Sequence, residues 1–354
     1  LLKDAASAFA RKGGLARSRA LRQTEPGFDR GMWAQMAEQG WLGLLIDEEF
    51  GGQGLGFSEM AVVVEELART VSPEPVTASA VYASVVLAGS DNADLKKELL
   101  GKIAAGEVII GVAGPDRLND AGSIGVTVKG GALSGLTGNV YPALGADGFI
   151  IAAKDGVDVA IYYVDAKATG LSVAGKTRAD GTIGGVLTLK DVKASALVAK
   201  GAGAVAALRR GSDAAVIMTC AELFGTMNEA LDLTLEYMRT RVQFGKAIGS
   251  YQALQHRAVD LWLQKELSMG ALADAVRVLD DPKSTPDQIS MVASRAKSRC
   301  GDAAHMLGRE TIKLHGAIGF TDEYDVGLFL RRAMALNAWL GNPSDHRRRV
   351  SSLL

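Results

Sequence analysis

Two short segments combine residue types that can hold a phosphorylated ligand. The first is RTRVQFG at 239–245, which breaks a helical pattern and is soon followed by Gln252. An arginine such as Arg241 offers a bidentate fork to a diphosphate. A phenylalanine such as Phe244 offers a stacking face to an adenine ring. This grouping at a helix break could therefore hold both parts of a nucleotide.

The second segment is KLHGAIGF at 313–320, which falls at the end of another helical pattern. Gly316 and Gly319 would let the backbone approach a ligand closely, because neither carries a Cβ atom. Either segment alone is more often helix capping and packing than ligand binding. Together they favour a ligand site without requiring one.

Residues that ligate metals are few and scattered in the sequence: His256, His305, His315, His346, Cys220 and Cys300. No two histidines have HxxxH spacing and no His has an HxxE partner, so the sequence predicts no metal site. Both cysteines lie in apolar helical patterns, which predicts buried free thiols in a reducing compartment. There is no GxSxG motif for a serine nucleophile.

Composition restricts the class of protein. The chain has 354 residues, of which 48% are hydrophobic, and 39 basic residues against 40 acidic ones give a formal net charge of -1. These values exclude a disordered chain and argue against nucleic acid or an anionic membrane as the main partner. With no run of eighteen apolar residues, we expect a soluble cytoplasmic protein. Since the first residue is Leu1, we also expect the natural N-terminus to be missing.

Hydrophobic periodicity divides the chain into three stretches that would position the two segments. The pattern is helical over 1–107, has period two over 108–200, and is helical again, with long helices, over 201–354. This predicts a mostly α protein with an N-terminal helical domain, a small antiparallel β-barrel-like domain and a C-terminal four-helix bundle. The glycine-rich stretch at 47–54 lacks the phosphate-loop pattern, so it is predicted to be a helix-to-helix connection.

Four blocks of sequence carry a resemblance to a known family. They are GWLGL at 40–44, FGGQG at 50–54, RVQFG at 241–245 continuing into IGSYQALQHRAVDL, and LHGAIGFTDEYDV at 314–326. In this order they resemble the acyl-CoA dehydrogenase family from end to end. The resemblance implies FAD as cofactor, an acyl-CoA thioester as substrate, an electron-transferring flavoprotein as electron acceptor and usually a tetramer.

The resemblance also implies a cofactor site shared between subunits, in which a neighbouring chain contacts the FAD diphosphate. The half-site that this chain would give to its neighbour is largely intact, with Lys313 where many members have Gln. Its residues are Arg241, Phe244, Gln252, Lys313, Gly316 and Gly319.

The half-site for the chain's own flavin departs from the family pattern. Ala113 stands where the family has the Thr of Thr-Glu-Pro, and Asn139 and Tyr141 stand where it has the Trp and Thr that cover the flavin. Leu340 occupies the position of the catalytic Glu, and it cannot accept a proton. The second position used by some members falls at about 215–216, which is also apolar.

Three hypotheses follow from this asymmetry. The favoured one is a non-catalytic subunit that completes the FAD site of a homologous catalytic partner. It resembles the small subunit of heteromeric pimeloyl-CoA and steroid side-chain acyl-CoA dehydrogenases. The second is a complete homomeric enzyme with a displaced base, Asp213 or Glu222. The third is a flavin-free scaffold or binding protein with the same fold.

Overall fold

A computed structural model describes residues 1–22, 24–118 and 120–354 of the chain. The chain forms two compact units. The bundle unit comprises Leu1–Ala20, Ala61–Ser72 and Val216–Leu354, and the sheet unit comprises Leu21–Met60 and Pro73–Ala215. The domain boundaries at 107 and 200 stay a prediction.

The α-helices of the described residues alternate with short 3-10 turns and one π-helical stretch, Val76–Ala83. The α-helices are α1 (Leu2–Leu21, kinked at Gly14), α2 (Arg30–Glu38), α3 (Phe57–Ala68), α4 (Ser84–Ala88), α5 (Ala93–Ala104), α6 (Ala202–Thr240), α7 (Gln252–Asp280), α8 (Pro286–His315), α9 (Val326–Ala338) and α10 (Pro343–Leu353).

The strands of the main sheet all lie within 108–200, the stretch in which the sequence pattern has period two. Eight form one sheet: β1 (Ile110–Ala113), β2 (Val126–Lys129), β3 (Ala132–Leu136), β4 (Gly148–Asp155), β5 (Asp158–Asp165), β6 (Leu171–Thr177), β7 (Ile183–Lys193) and β8 (Ala196–Lys200). Two more, β9 (Val242–Gln243) and β10 (Lys246–Ala247), form a separate hairpin.

The sheet is mixed, although the sequence suggested an antiparallel one. Its order is β6-β7-β3-β2-β4-β5-β8, and β1 pairs parallel with β4 in the register Ile110↔Gly148. A parallel pair needs a long connection between its strands, and the chain from β1 to β4 supplies it with the β2–β3 hairpin. Strand β4 is buried along most of its length because it lies inside the sheet.

The long helices of the bundle unit include a complete capping box and bury both cysteines, as the sequence predicts for the thiols. Thr285 caps α8 and Gln288 closes a capping box, with Pro286 at the first helical position. Both cysteines are fully buried free thiols, and the Cys300 thiol donates to the Ser268 carbonyl of α7 at 3.7 Å. The mostly α fold with a central sheet is thereby confirmed.

Candidate functional site

The RVQFG segment forms a tight hairpin that presents Phe244 to solvent. Gln243 pairs with Lys246, so Phe244 and Gly245 form a two-residue loop with φ of 52° and 82°. Positive φ at both loop residues is typical of Asn-Gly or Gly-Gly turns, and it is strained for a phenylalanine. The Phe244 side chain is 92% exposed, so no packing within the chain offsets this strain. Strain of this kind is commonly retained for function.

The hairpin is tied to the start of α7, where Gln252 is the first residue. The Ile248 amide donates to the Arg241 carbonyl at 2.8 Å, which closes the base of the hairpin. The Tyr251 hydroxyl donates to the Gln243 carbonyl at 3.3 Å, and the Lys246 ammonium lies 4.2 Å from the centre of the Tyr251 ring. Arg241 and Gln252 are themselves exposed. The structure therefore brings Arg241, Phe244 and Gln252 into one exposed segment.

The glycine turn, Gly316–Phe320, ends α8, and its two glycines serve different purposes. Gly316 has a φ of 68°, and no atom lies within 4 Å of the place a Cβ would occupy. A Cβ at Gly319 would lie 2.5 Å from the Ile312 carbonyl oxygen. Gly316 therefore offers open backbone to a ligand, whereas Gly319 is needed for packing against α8. Lys313 is held by an ion pair with Glu310 at 2.5 Å.

Three aromatic rings, each close in sequence to the hairpin or to the glycine turn, form a cluster. The His315 ring lies 4.5 Å from the Tyr237 ring and 4.8 Å from the Tyr324 ring, measured between centroids. Tyr237 is one helical turn before Arg241, and His315 directly precedes Gly316. Sequence reasoning missed this cluster, although the four-residue spacing of Tyr237 and Arg241 places them on one helix face.

Of the three positions predicted to line the chain's own flavin, two are buried and one is exposed. Tyr141 is buried, its hydroxyl donates to the Pro73 carbonyl at 3.0 Å, and the Arg178 guanidinium lies 4.6 Å from its ring centre. Ala113 at the end of β1 is also buried. Asn139 is exposed.

The space beside the end of β1 is narrow. A Cβ at Gly114 would lie 2.8 Å from the hydroxyl oxygen of Tyr82, a fully enclosed side chain of the π-helical stretch. Burial raises the pKa of the Tyr82 phenol, and the charge of Asp213 raises it further. Ala113 and Asn139 supply neither the Thr hydroxyl nor the Trp ring that the resemblance leads us to expect beside a flavin.

The segment around Leu340 connects α9 to α10 and is held by hydrogen bonds from buried side chains. Lys297 is fully buried and its ammonium donates to the carbonyls of Leu336 and Trp339 at 2.7 and 2.8 Å. These carbonyls lie at the end of α9, where a cation stabilises unpaired acceptors. His346 Nε2 lies 2.9 Å from the Leu340 carbonyl and donates to it. Leu340 itself has a φ of 57°.

The two carboxylates considered as displaced bases are both buried. Glu222 forms an ion pair with Arg332 at 2.5 Å, and both side chains are at most 10% exposed. Asp213 is 1% exposed and lies in the sheet unit close enough to Tyr82 to affect its pKa. Neither faces solvent.

Two kinds of feature are absent from the residues that the structure describes. No group of three or more His, Cys, Asp or Glu side chains among them could hold a metal ion. No helix within the described ranges combines the length and the apolarity needed to cross a membrane.

The sequence matches two domain models of one family. Residues 1–107 match the acyl-CoA dehydrogenase N-terminal domain, and residues 202–352 match the acyl-CoA dehydrogenase C-terminal domain. The chain belongs to the acyl-CoA dehydrogenase family, whose members are FAD-dependent oxidoreductases.

Individual relatives support this membership. The chain is 31% identical to acyl-CoA dehydrogenase FadE34 of Mycobacterium tuberculosis over 349 residues, which is 96% of the chain but 45% of that relative's length. It is 28% identical to acyl-CoA dehydrogenase IpdE2 of Mycolicibacterium smegmatis over 337 residues, covering 94% of the chain and 91% of the relative.

Solved structures share the fold over nearly the whole chain. A variant of the Tcur3481-Tcur3483 steroid ACAD superposes with a TM-score of 0.89 at 28% identity, covering 99% of this chain and 96% of that one. The ChsE4-ChsE5 complex from Mycobacterium tuberculosis contains a chain with a TM-score of 0.88 at 24% identity, covering 99% and 95%, which shows the fold alone.

Proposed function

We propose that this chain is the non-catalytic subunit of a heteromeric, FAD-dependent acyl-CoA dehydrogenase. It would contribute Arg241, Phe244, Gln252 and the Gly316 backbone to an FAD held mainly by a homologous catalytic subunit. Bound FAD supplies the hydride acceptor for α,β-dehydrogenation of an acyl-CoA thioester. One observation carries the proposal, and it concerns Tyr141, which stands where the resemblance implies a flavin contact. Tyr141 is buried, its hydroxyl donates to the Pro73 carbonyl, and the Arg178 guanidinium lies over its ring.

The exposed groups of the hairpin support a role in binding the partner's FAD. Arg241 offers an exposed guanidinium for a diphosphate, and Phe244 offers an exposed ring for an adenine. The strained loop keeps Phe244 exposed although burying it inside the chain would be more favourable. Such a ring is most simply explained by a ligand or partner that covers it.

Glu222 and Asp213, the two candidates for a displaced base, are poorly suited to that role. The Glu222 carboxylate is already the counter-ion of a buried guanidinium, so removing it from Arg332 would leave a buried charge without this partner. Asp213 is enclosed beside Tyr82. A base must come within hydrogen-bonding distance of the substrate proton. The Glu that removes the α-proton is therefore expected on the partner.

The substrate and partner proposals come from the relatives. One similar structure is named a Tcur3481-Tcur3483 steroid ACAD, and another is named the ChsE4-ChsE5 complex. We therefore assign this chain to a heterotetramer that acts on a bulky, steroid-type acyl-CoA thioester in the cytoplasm. Electron-transferring flavoprotein would accept the electrons. FadE34 is about twice as long as this chain, as expected if a homologous second subunit were fused to it.

The experiment compares two arginines that lie two residues apart. The chain is co-expressed with homologous acyl-CoA dehydrogenase subunits of its organism that retain the Glu base, and the flavin in the purified heteromer is quantified. Arg241→Ala should lower the FAD content per heteromer at least about tenfold, as expected for losing a bidentate diphosphate contact. Arg239→Ala, which removes only an exposed pair with Glu236, should leave it unchanged.

Two outcomes would refute the proposal. If Arg241→Ala leaves both the assembly and its flavin content unchanged, the chain is a flavin-free scaffold. If the chain alone forms a homomer that turns over acyl-CoA, and Asp213→Asn or Glu222→Gln abolishes turnover with FAD still bound, it is a complete enzyme with a displaced base.

A further inference from the structure

We infer that a positioning cluster holds the hairpin and the glycine turn in fixed positions relative to each other. The cluster consists of Tyr237, His315 and Tyr324. The hairpin here means 241–247 and the glycine turn means 316–320. The functional meaning of the cluster rests on the proposed function, because both segments belong to the half-site given to the partner's FAD. The coupling between the segments can be tested without the partner.

The cluster is compact, and every pair of its rings is in contact. Besides the two contacts of His315, the Tyr237 and Tyr324 rings lie 5.9 Å apart with an angle of 64° between their planes. Aromatic pairs at these separations attract one another beyond the area they bury. His315 is 3% exposed, so its ring is the inner member of the cluster.

Each ring is joined to one of the two segments through the backbone. The Arg241 amide donates to the Tyr237 carbonyl at 2.8 Å, so Tyr237 and the base of the hairpin share one helical turn. His315 is the last residue of α8 and is bonded directly to Gly316. Tyr324 lies four residues beyond the end of the glycine turn. A movement of the His315 ring therefore acts on both segments.

The hydrogen bonds of His315 define which of its nitrogens carries a proton. Nδ1 lies 2.7 Å from the Thr311 carbonyl, so it must bear the hydrogen and donate. Nε2 is then an acceptor, and it has no partner among the described residues. The groups facing the ring are Tyr237 from α6, Tyr324 from the loop after the turn, and the Thr311 carbonyl of α8. None of them carries a negative charge at neutral pH.

A neutral imidazole suits this position better than a charged one. Burial lowers the pKa of His315, and the bond to the Thr311 carbonyl offsets this only in part. Protonation would place a cation between two tyrosine rings with no carboxylate facing it. Protection of the backbone amides in the two segments should therefore be greatest above the ordinary pKa of histidine. It should decrease as the pH falls below that value.

Amide hydrogen exchange on the full chain tests the coupling. His315→Ala removes the inner ring and should speed exchange at least about tenfold in both segments, with exchange in β4 unchanged. His315→Phe keeps a ring of similar size and should restore slow exchange in both segments. Its protection factors, which are exchange rates corrected for the intrinsic effect of pH on amide exchange, should be independent of pH between 5 and 8. His305→Ala, an exposed histidine on the same helix, is the matched control and should change neither.

Two results would overturn the inference. One is faster exchange confined to the glycine turn, with the hairpin unaffected. The other is a His315→Phe chain that exchanges as fast as His315→Ala. If His315→Ala does not fold, Tyr324→Ala carries the same prediction for the hairpin, since Tyr324 is only half-buried.

Flavin content of the heteromer gives the functional readout. His315→Ala should lower it and His315→Phe should retain it. A wild-type heteromer without flavin would refute the proposed function, while the exchange experiment would still decide whether the two segments are coupled.

Discussion

Replacing Phe244 by Asn separates the stability of the chain from its ability to bind flavin. Phe244 occupies the first loop position of the hairpin with a φ of 52°. Asn followed by Gly is the preferred pair in such a loop, because Asn tolerates positive φ. The variant therefore removes backbone strain and, in the same step, removes the exposed ring.

The expected magnitudes follow from the exposure of the ring. Because Phe244 is 92% exposed, its removal sacrifices almost no packing within the chain. The left-handed conformation costs a side-chain-bearing residue about 1–2 kcal/mol, so Phe244→Asn should raise the free energy of unfolding by about 1 kcal/mol. Stacking of a base on an aromatic ring is worth about 1–3 kcal/mol. The affinity of the heteromer for FAD should therefore fall about 5- to 150-fold.

Denaturant unfolding of the chain and FAD titration of the apo-heteromer measure the two effects. Val157→Asn is the matched control, since Val157 is a fully exposed apolar residue in the loop between β4 and β5 and has no positive φ. It should change neither quantity. A Phe244→Asn chain that is less stable, or a heteromer with unchanged FAD affinity, would refute the reasoning.

Three further predictions concern buried groups of the bundle unit. Burial and the charge of Lys297 lower the pKa of His346 to about 3. Since its folded pKa lies below its unfolded one, the free energy of unfolding should fall by up to about 1.4 kcal/mol per pH unit from about pH 6.5 to pH 3, and the His346→Gln chain should lack this slope in denaturant titrations. Cys220 and Cys300 should react with a thiol reagent only after unfolding, because burial raises the pKa of Cys220 well above its ordinary value. Glu222→Gln should lower the free energy of unfolding by about 3 kcal/mol, measured by thermal denaturation, because Arg332 loses its buried counter-ion.

Local patterns predicted most of the secondary structure. The capping box at Thr285 and the strand at 149–152 depend on residues close together in sequence, so periodicity and cap chemistry identify them. The parallel pairing of β1 with β4 depends on chain topology, which no local pattern reports.

Only the parts of the candidate site that are contiguous in sequence were predicted. RVQFG and the glycine turn are contiguous in sequence, so both segments could be recognised. The stacking of Arg178 on Tyr141 joins residues 37 positions apart, and that of Tyr237 on His315 joins residues 78 positions apart. Contacts at such separations arise from packing of whole elements, and a single sequence carries no trace of them.

The central claim is that this chain gives half of a flavin site to a partner and does not complete one of its own. The visible spectrum of the chain purified by itself tests this most directly. The account predicts a colourless protein, and about one FAD per pair of subunits once the catalytic subunit is co-expressed. A yellow homomer with one FAD per chain, bleached by an acyl-CoA thioester, would contradict it.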